Sequence, residues 1–286
     1  MEQLDLKTTA EEARKLLGAY LRERIAPHPI LSRYLPDAAV LVAGSVAAGT
    51  WDEHSDFDIR LLLPDEDHTR LAAELQEAHL WEPGRDFRVH LVDREPFRRF
   101  PSADILAFSA SQLDQELRFD LPVALWAYTH AAVLQDPLGT LDTRLEEARA
   151  RFEAALPALR CEHYFRFRQA RNDLVPRIMP RRLLTVLAIK RGEAVQEALR
   201  LAFLAEGKPY PYDKWLEVMA ERETDCGSGI VTAVRALVAA RETHTVEHAS
   251  KVLRDRVAFA LQQNGVTERW LEQWWLWPAI APTSAR

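Results

Sequence analysis

Asp56 and Asp58 stand either side of Phe57 at the start of an apolar run that ends at Leu63. In extended backbone successive side chains alternate faces, so the two carboxylates point the same way with Cα atoms about 6.7 Å apart. Phe57, Ile59 and Leu61 then face the other way, as a strand packed on a core requires. Neighbouring carboxylates repel unless a cation sits between them, and hard carboxylate oxygens suit Mg²⁺, which also binds substrate phosphates. Two such metals about 4 Å apart would clamp the attacking and leaving oxygens of an in-line phosphoryl displacement. Upstream lie Gly44, whose missing side chain lets backbone approach a phosphate, and Ser45, whose hydroxyl and N–H can donate to one; Ser55 sits at the mouth of the second run. Together these residues describe a metal and triphosphate site.

The elements that must hold them are a strand from Val40 to Ala43, a tight loop beginning at Gly44-Ser45, and a second strand to Leu63. Gly44-Ser45, ten residues, and Asp56-Phe57-Asp58 resemble the signature of the polymerase-beta-like nucleotidyltransferases. The longer pattern GSxxxGxxxxxSDxD resembles most the small-molecule branch, which includes the aminoglycoside and lincosamide nucleotidyltransferases. The resemblance implies transfer of a nucleoside monophosphate, AMP from ATP or the equivalent from another NTP, to a hydroxyl of a small-molecule acceptor. It implies Mg²⁺ at Asp56 and Asp58 and the triphosphate at Gly44, Ser45 and Ser55. Many such proteins carry a third carboxylate near the start of a third strand. Here the extended run Asp86 to Val92 shows Arg88 and His90 on the matching face, and the expected acid is missing.

Two readings of that strand follow. His90, with an ordinary pKa near 6.5, could serve as general base and Arg88 could hold a phosphate. Alternatively both are polar residues of a half-exposed strand. Glu116, in a stretch from 102 to 130 that reads as helical, is a second candidate base, set against an ordinary solvated helix carboxylate. In the segment Gly207 to Leu216, Lys214 matches by resemblance a lysine that contacts phosphate, and a base or sugar could lie against Tyr212 or Tyr210.

The remaining pattern is simple. Residues 7 to 25 form an amphipathic helix, and Pro64-Asp65 opens another that runs to about Leu80. Ala131 to Gln135 is a short strand closed by the turn Asp136-Pro137-Leu138-Gly139, like the last strand in many small-molecule members. From Leu141 the chain reads as helices: Leu141 to Arg171 interrupted near Pro157, Arg181 to Glu206, Thr232 to Arg241, Thr245 to Gln263, and a closing helix Glu268 to Trp277. The expected class is α+β: a mixed sheet flanked by helices over residues 1–140, then an all-α bundle over 141–286, with the acceptor cleft between them.

Bulk properties narrow the function. The 286 residues are 48% hydrophobic and 28% charged, as in a soluble globular protein. A net charge of −6 gives no overall electrostatic case for nucleic acid, although Arg166 to Arg191 is locally rich in arginine. Cys161 and Cys226 have neither metal-ligand spacing nor a disulfide framework. The N-terminus has no cationic segment followed by an apolar core, and no run approaches a membrane span, so the expected location is cytoplasmic. The rival readings are an antitoxin-like transferase that adenylylates a protein partner, and a degenerate module that binds nucleotide without turnover. An antibiotic acceptor of the aminoglycoside type is polycationic and calls for an acidic surround.

Overall fold

The computed structural model describes residues 10–51, 55–80, 89–93 and 102–276, with the side chains of 10–14, 89–93 and 276 outside that description. The chain divides into two compact units, residues 1–149 and 150–286. The first holds 27 Asp and Glu against 16 Lys and Arg, a net of −11; the second holds 16 against 21, a net of +5.

The first unit is built on a five-stranded mixed sheet of order β3-β4-β2-β1-β5. Its strands are β1 (Ala39–Val42), β2 (Phe57–Leu63), β3 (Val89–Asp93), β4 (Ala103–Ser109) and β5 (Ala132–Gln135). β1 runs antiparallel to β2 and to β5, β2 parallel to β4, and β3 antiparallel to β4. One face carries Val40, Val42, Phe57, Ile59, Leu61, Ala103, Ile105 and Ala107. It packs on α1 (Ala10–Tyr20) through Leu17 and Tyr20, and on α3 (Asp65–Glu77) through Leu71 and Leu75. Alternation along β2 and β4 leaves Asp58, Arg60, Asp104 and Leu106 half-buried on the opposite face. Beyond β4 come α4 (Ala110–Phe119) and α5 (Leu121–His130), which bury Leu113, Leu117, Leu125, Trp126 and Tyr128.

The segment from 102 to 130, expected to be one helical stretch, is therefore a strand and two helices. Ala103–Ser109 is apolar on both faces at its C-terminal end, Ala107 and Phe108 being buried, which hides the two-residue alternation of a strand. A capping box ends it: Ser109 Oγ accepts from the Gln112 N–H at 3.2 Å, and Gln112 Oε1 accepts from the Ser109 N–H at 2.9 Å. Asp120, at φ −136° and ψ 60°, separates α4 from α5.

The second unit is helical, as its periodicity predicts. α6 (Thr140–Asp173) enters it and is followed by α7 (Leu184–Ala205), α8 (Asp213–Glu223), α9 (Gly227–Ala239) and α10 (Thr243–Gln263). Phe167, Leu201, Leu204, Met219, Val234, Leu253 and Val257 lie in its core. Two expectations are corrected. α6 continues through Pro157, an exposed position where losing one hydrogen bond leaves no buried carbonyl unpaired. In place of a closing helix the described chain ends in two 3₁₀ turns, Arg269–Leu271 and Trp274–Leu276, with Trp270 packed on Tyr164 at a ring separation of 5.4 Å. The indole is buried by that contact without a regular helix. No helix among the described residues is long and apolar enough to cross a membrane.

Candidate active site

β1 and β2 set the site by their register. Val42 lies opposite Ile59, and the Ala43 N–H donates to the Asp58 carbonyl at 2.9 Å, so the end of β1 is tied to the start of β2. The chain then enters α2 (Gly44–Ala48), a single helical turn where the sequence predicted a loop. Gly44 has φ +65°, a conformation that side chains disfavour. A Cβ placed on it would lie 1.7 Å from Asp58 Oδ2 and 2.7 Å from Asp58 Cγ. The Asp58 carboxyl is thus laid directly on the glycine backbone, and only glycine permits that approach. Ser45 is buried, and its carbonyl accepts from the Thr50 N–H at 2.9 Å, closing the turn at Gly49. Ser55 and Asp56 are half-buried immediately before β2, where the Phe57 N–H donates to the Ser102 carbonyl at 2.9 Å. Trp51 stacks on Phe57 with ring centroids 5.4 Å apart.

The strand beside β2 is β4, and Asp104 stands opposite Asp58 in the parallel register. Directly opposed residues share a face, so an acid does accompany the pair, from a stretch that did not read as a strand. β3 instead pairs with β4, placing His90 opposite Leu106, which is itself opposite Arg60. His90 is therefore two strands from β2; its side chain, and Arg88 altogether, lie outside the described residues.

Glu116 faces the same side of the sheet from α4. Its Oε2 accepts from the Tyr128 hydroxyl at 2.8 Å, Arg60 Nη1 donates to that hydroxyl at 3.0 Å, and Arg60 Nη1 to Glu116 Oε1 is 3.9 Å. The Arg60 guanidinium also lies 5.2 Å from the centroid of the Tyr128 ring. Burial, with the charge of Glu116, raises the Tyr128 hydroxyl above its ordinary pKa despite the opposing Arg60, so the phenol stays protonated and donates. This trio braces the strand two residues beyond Asp58.

Lys214 and Tyr212 belong to the helical unit, at the start of α8. The Lys214 ammonium is exposed and lies 5.7 Å from the Tyr212 ring and 5.1 Å from the Trp215 ring. Behind them Tyr210 is buried, its hydroxyl 3.0 Å from His163 Nε2, while His163 Nδ1 is 2.5 Å from Glu197 Oε2. Arg200 joins Glu197 at 3.4 Å and Asp213 at 3.1 Å, fixing the segment that leads into α8. The thiols of Cys161 and Cys226 are pushed up to about 11 by burial, which removes them as nucleophiles near neutral pH.

Asp56, Asp58 and Asp104 supply the hard oxygen donors that a divalent cation such as Mg²⁺ takes, from one strand and its register partner. Among the described residues no three His, Cys, Asp or Glu side chains are gathered closely enough to form a ready metal cage. The Asp58 carboxyl is turned onto Gly44 instead. The donor type, carboxylate oxygen, suits the ion.

Comparison with known proteins bears on the same segment. Residues 29–113 match the nucleotidyltransferase domain. That span holds α2, the strands β1 to β4 and therefore all three aspartates. Residues 122–216 match a domain of unknown function, DUF4037. Among solved structures the chain is similar to a nucleotidyltransferase-like protein from Exiguobacterium sibiricum 255-15, at 10% identity and a TM-score of 0.41, over 89% of this chain and 77% of that one. No curated protein matches. The domain match supports the superfamily indicated by the glycine-serine and Asp-x-Asp pattern, and with it a transferase of nucleotidyl groups.

Proposed function

We propose that the chain transfers a nucleoside monophosphate, AMP from ATP, to a hydroxyl of a small cationic acceptor such as an aminoglycoside. The observation that carries this reading is the seating of Asp58 on Gly44 with Asp104 in register beside it, inside the segment that matches the nucleotidyltransferase domain. Asp56 and Asp58 would hold Mg²⁺, which when bound supplies the positive charge that a triphosphate needs beside carboxylates. Gly44, without a side chain, lets the Asp58 carboxyl come close to the turn where the phosphates would lie, and Ser45 and Ser55 would donate to their oxygens. Asp104, half-buried and opposite Asp58, takes the proton of the acceptor hydroxyl as the new ester bond to the α-phosphorus forms and the bond to pyrophosphate breaks.

Asp104 is preferred over His90 and Glu116 for this role on geometric grounds. It is the acid on the strand next to β2, whereas His90 lies one strand farther and Glu116 already accepts the Tyr128 hydroxyl and faces Arg60. The net of −11 over residues 1–149 favours a polycationic acceptor over an anionic one.

The test uses ATP labelled on the α-phosphate, Mg²⁺ and panels of aminoglycosides and lincosamides, with host extract in a parallel reaction. Label that moves to a small molecule, and fails to move with Asp58→Asn, supports the proposal. Label that moves to a protein instead would replace it with the protein-modifying reading.

A further inference from the structure

The end of α6 and the second half of α10 bring three guanidinium groups together within the helical unit. Arg168 and Arg171 are one turn apart on α6. Arg171 Nε donates to the Ser250 carbonyl at 3.0 Å, and Arg254 lies one turn beyond Ser250 on α10. What sets these arginines apart is the company they keep. Arg166 and Arg177, exposed on the same stretch, have acids one turn away: Glu162 at 2.5 Å and Asp173 at 3.0 Å. Arg168 and Arg171 have neutral partners. Arg168 Nη1 donates to the Tyr164 hydroxyl at 2.9 Å, and Arg171 Nη1 to Asn172 Oδ1 at 3.0 Å. The Arg168 guanidinium lies 5.6 Å from the Tyr164 ring and 5.6 Å from the Trp274 ring, and its Nε is buried with no hydrogen-bond partner.

Among the described residues the acid that opposes this crowding at Arg171 is Asp255, which Arg254 holds at 2.7 Å. The crowding registers on Arg171, whose pKa is pushed down to about 10 by burial and by the like charges of Arg254 and Arg168, with Asp255 opposing. Three cations against that one anion among the described residues leave a local surplus of two charges, part of the unit's net of +5. Like charges held close in a partly desolvated place disfavour the unliganded state, and a bound anion relieves that cost. A phosphate group and a carboxylate both accept paired N–H bonds from a guanidinium fork, but the phosphate brings close to two negative charges and three acceptor oxygens, enough to meet several forks at once.

We propose that Arg168, Arg171 and Arg254 form an anion site of the helical unit that takes the phosphate groups of a small phosphorylated molecule: inorganic pyrophosphate or the phosphate chain of a nucleotide. The site is built from residues of the helical unit alone, and its existence does not depend on nucleotidyl transfer. A small ligand is favoured over nucleic acid because the flanking Arg166 and Arg177 are neutralised by their own acids and do not extend the cluster into a track.

The full chain is titrated calorimetrically with pyrophosphate, ATP, adenosine and acetate in Mg²⁺-free, low-salt buffer. Pyrophosphate and ATP bind, adenosine and acetate do not, and bound pyrophosphate raises the melting temperature. Arg168→Gln and Arg254→Gln each weaken binding about tenfold, as loss of a charge-assisted bond should. Arg168 and Arg254 are chosen because Arg171→Gln also loses the bond to α10 and could unfold. The Asp56→Asn, Asp58→Asn protein binds pyrophosphate as the parent does. The inference is overturned by no binding to the parent chain, by equal binding to the Arg168→Gln, Arg254→Gln double variant, or by binding that disappears with the aspartates. A short RNA that binds more tightly than ATP, with a steep salt dependence unaffected by the double variant, would also overturn it.

Discussion

The acidic first unit and the basic second unit collect their charges by different geometries. In the first, strand register does it: Asp58 and Asp104 are 46 positions apart in the chain and become direct neighbours because β2 and β4 run parallel. In the second, helix periodicity does it: Arg168 and Arg171 are neighbours already on α6, and α10 adds Arg254. Register is unforgiving, since a one-residue slip would send Asp58 to the core face. A helix cluster tolerates change, because each arginine has a long stem and several ways to reach the same place. The two sites should therefore break differently.

The largest combined effect on activity and stability is expected from Gly44→Ala. Its Cβ would collide with the Asp58 carboxyl, and alanine at φ +65° adds about 1–2 kcal/mol of backbone strain. Transfer should fall about 10²–10³-fold, the scale of losing one preorganised group, together with a lower melting temperature. An alanine variant with parental activity would show that the contact between Gly44 and Asp58 is incidental.

Next comes Glu197→Ala, which strips the buried His163 of its carboxylate and loosens the hold on Tyr210. A buried polar group left without its partner costs about 1–3 kcal/mol, so the urea midpoint should drop while Gly44→Ala and Glu197→Ala remain additive. Tyr128→Phe should cost less, about 1 kcal/mol, because it removes one hydroxyl and its two bonds to Glu116 and Arg60. Its readout is again the urea midpoint. A loss of several kcal/mol would mean that the trio holds the sheet and does more than brace one strand.

The smallest effect concerns pH. Asp65 is held below the usual carboxylate range, first by the Ser111 hydroxyl at 2.6 Å, then by Ser109 and by the Ser111 N–H at 3.1 Å. A depressed carboxyl contributes stability that is present above its unfolded pKa and is lost as pH falls through the folded one. Ser111→Ala should therefore lower the melting temperature at pH 7 slightly and leave it unchanged near pH 2. The pair is exposed, so the difference stays under about 1 kcal/mol. An equal loss at both pH values would assign the serine a role other than holding the carboxylate.

How much of this was legible depended on how local each signal is. Gly44, Ser45, Asp56 and Asp58 lie within fifteen residues, and turn chemistry with two-residue alternation was enough to find them. Asp104 was hidden twice. Its strand is too apolar near Phe108 to show alternation, and chain order suggests that the strand after α3 should lie next to β2, whereas β3 goes to the sheet edge. The one signal that could have exposed β4 is Ser109-x-x-Gln112, a helix start that forbids helix before it. The helical unit was readable in its interior and wrong at its ends, where Pro157 is absorbed and tryptophans pack without a helix. The pairing of Tyr210 with His163 and Glu197 joins three distant segments and leaves no periodic trace.

The most direct measurement of the central claim is label transfer from α-labelled ATP by Asp104→Asn, with the melting temperature recorded on the same sample. Register between β2 and β4 predicts that transfer falls about 10²–10⁴-fold, as removal of a catalytic base should, while the melting temperature holds or rises because a neighbouring like charge is gone. Transfer at the parental rate from a folded Asp104→Asn protein would contradict it.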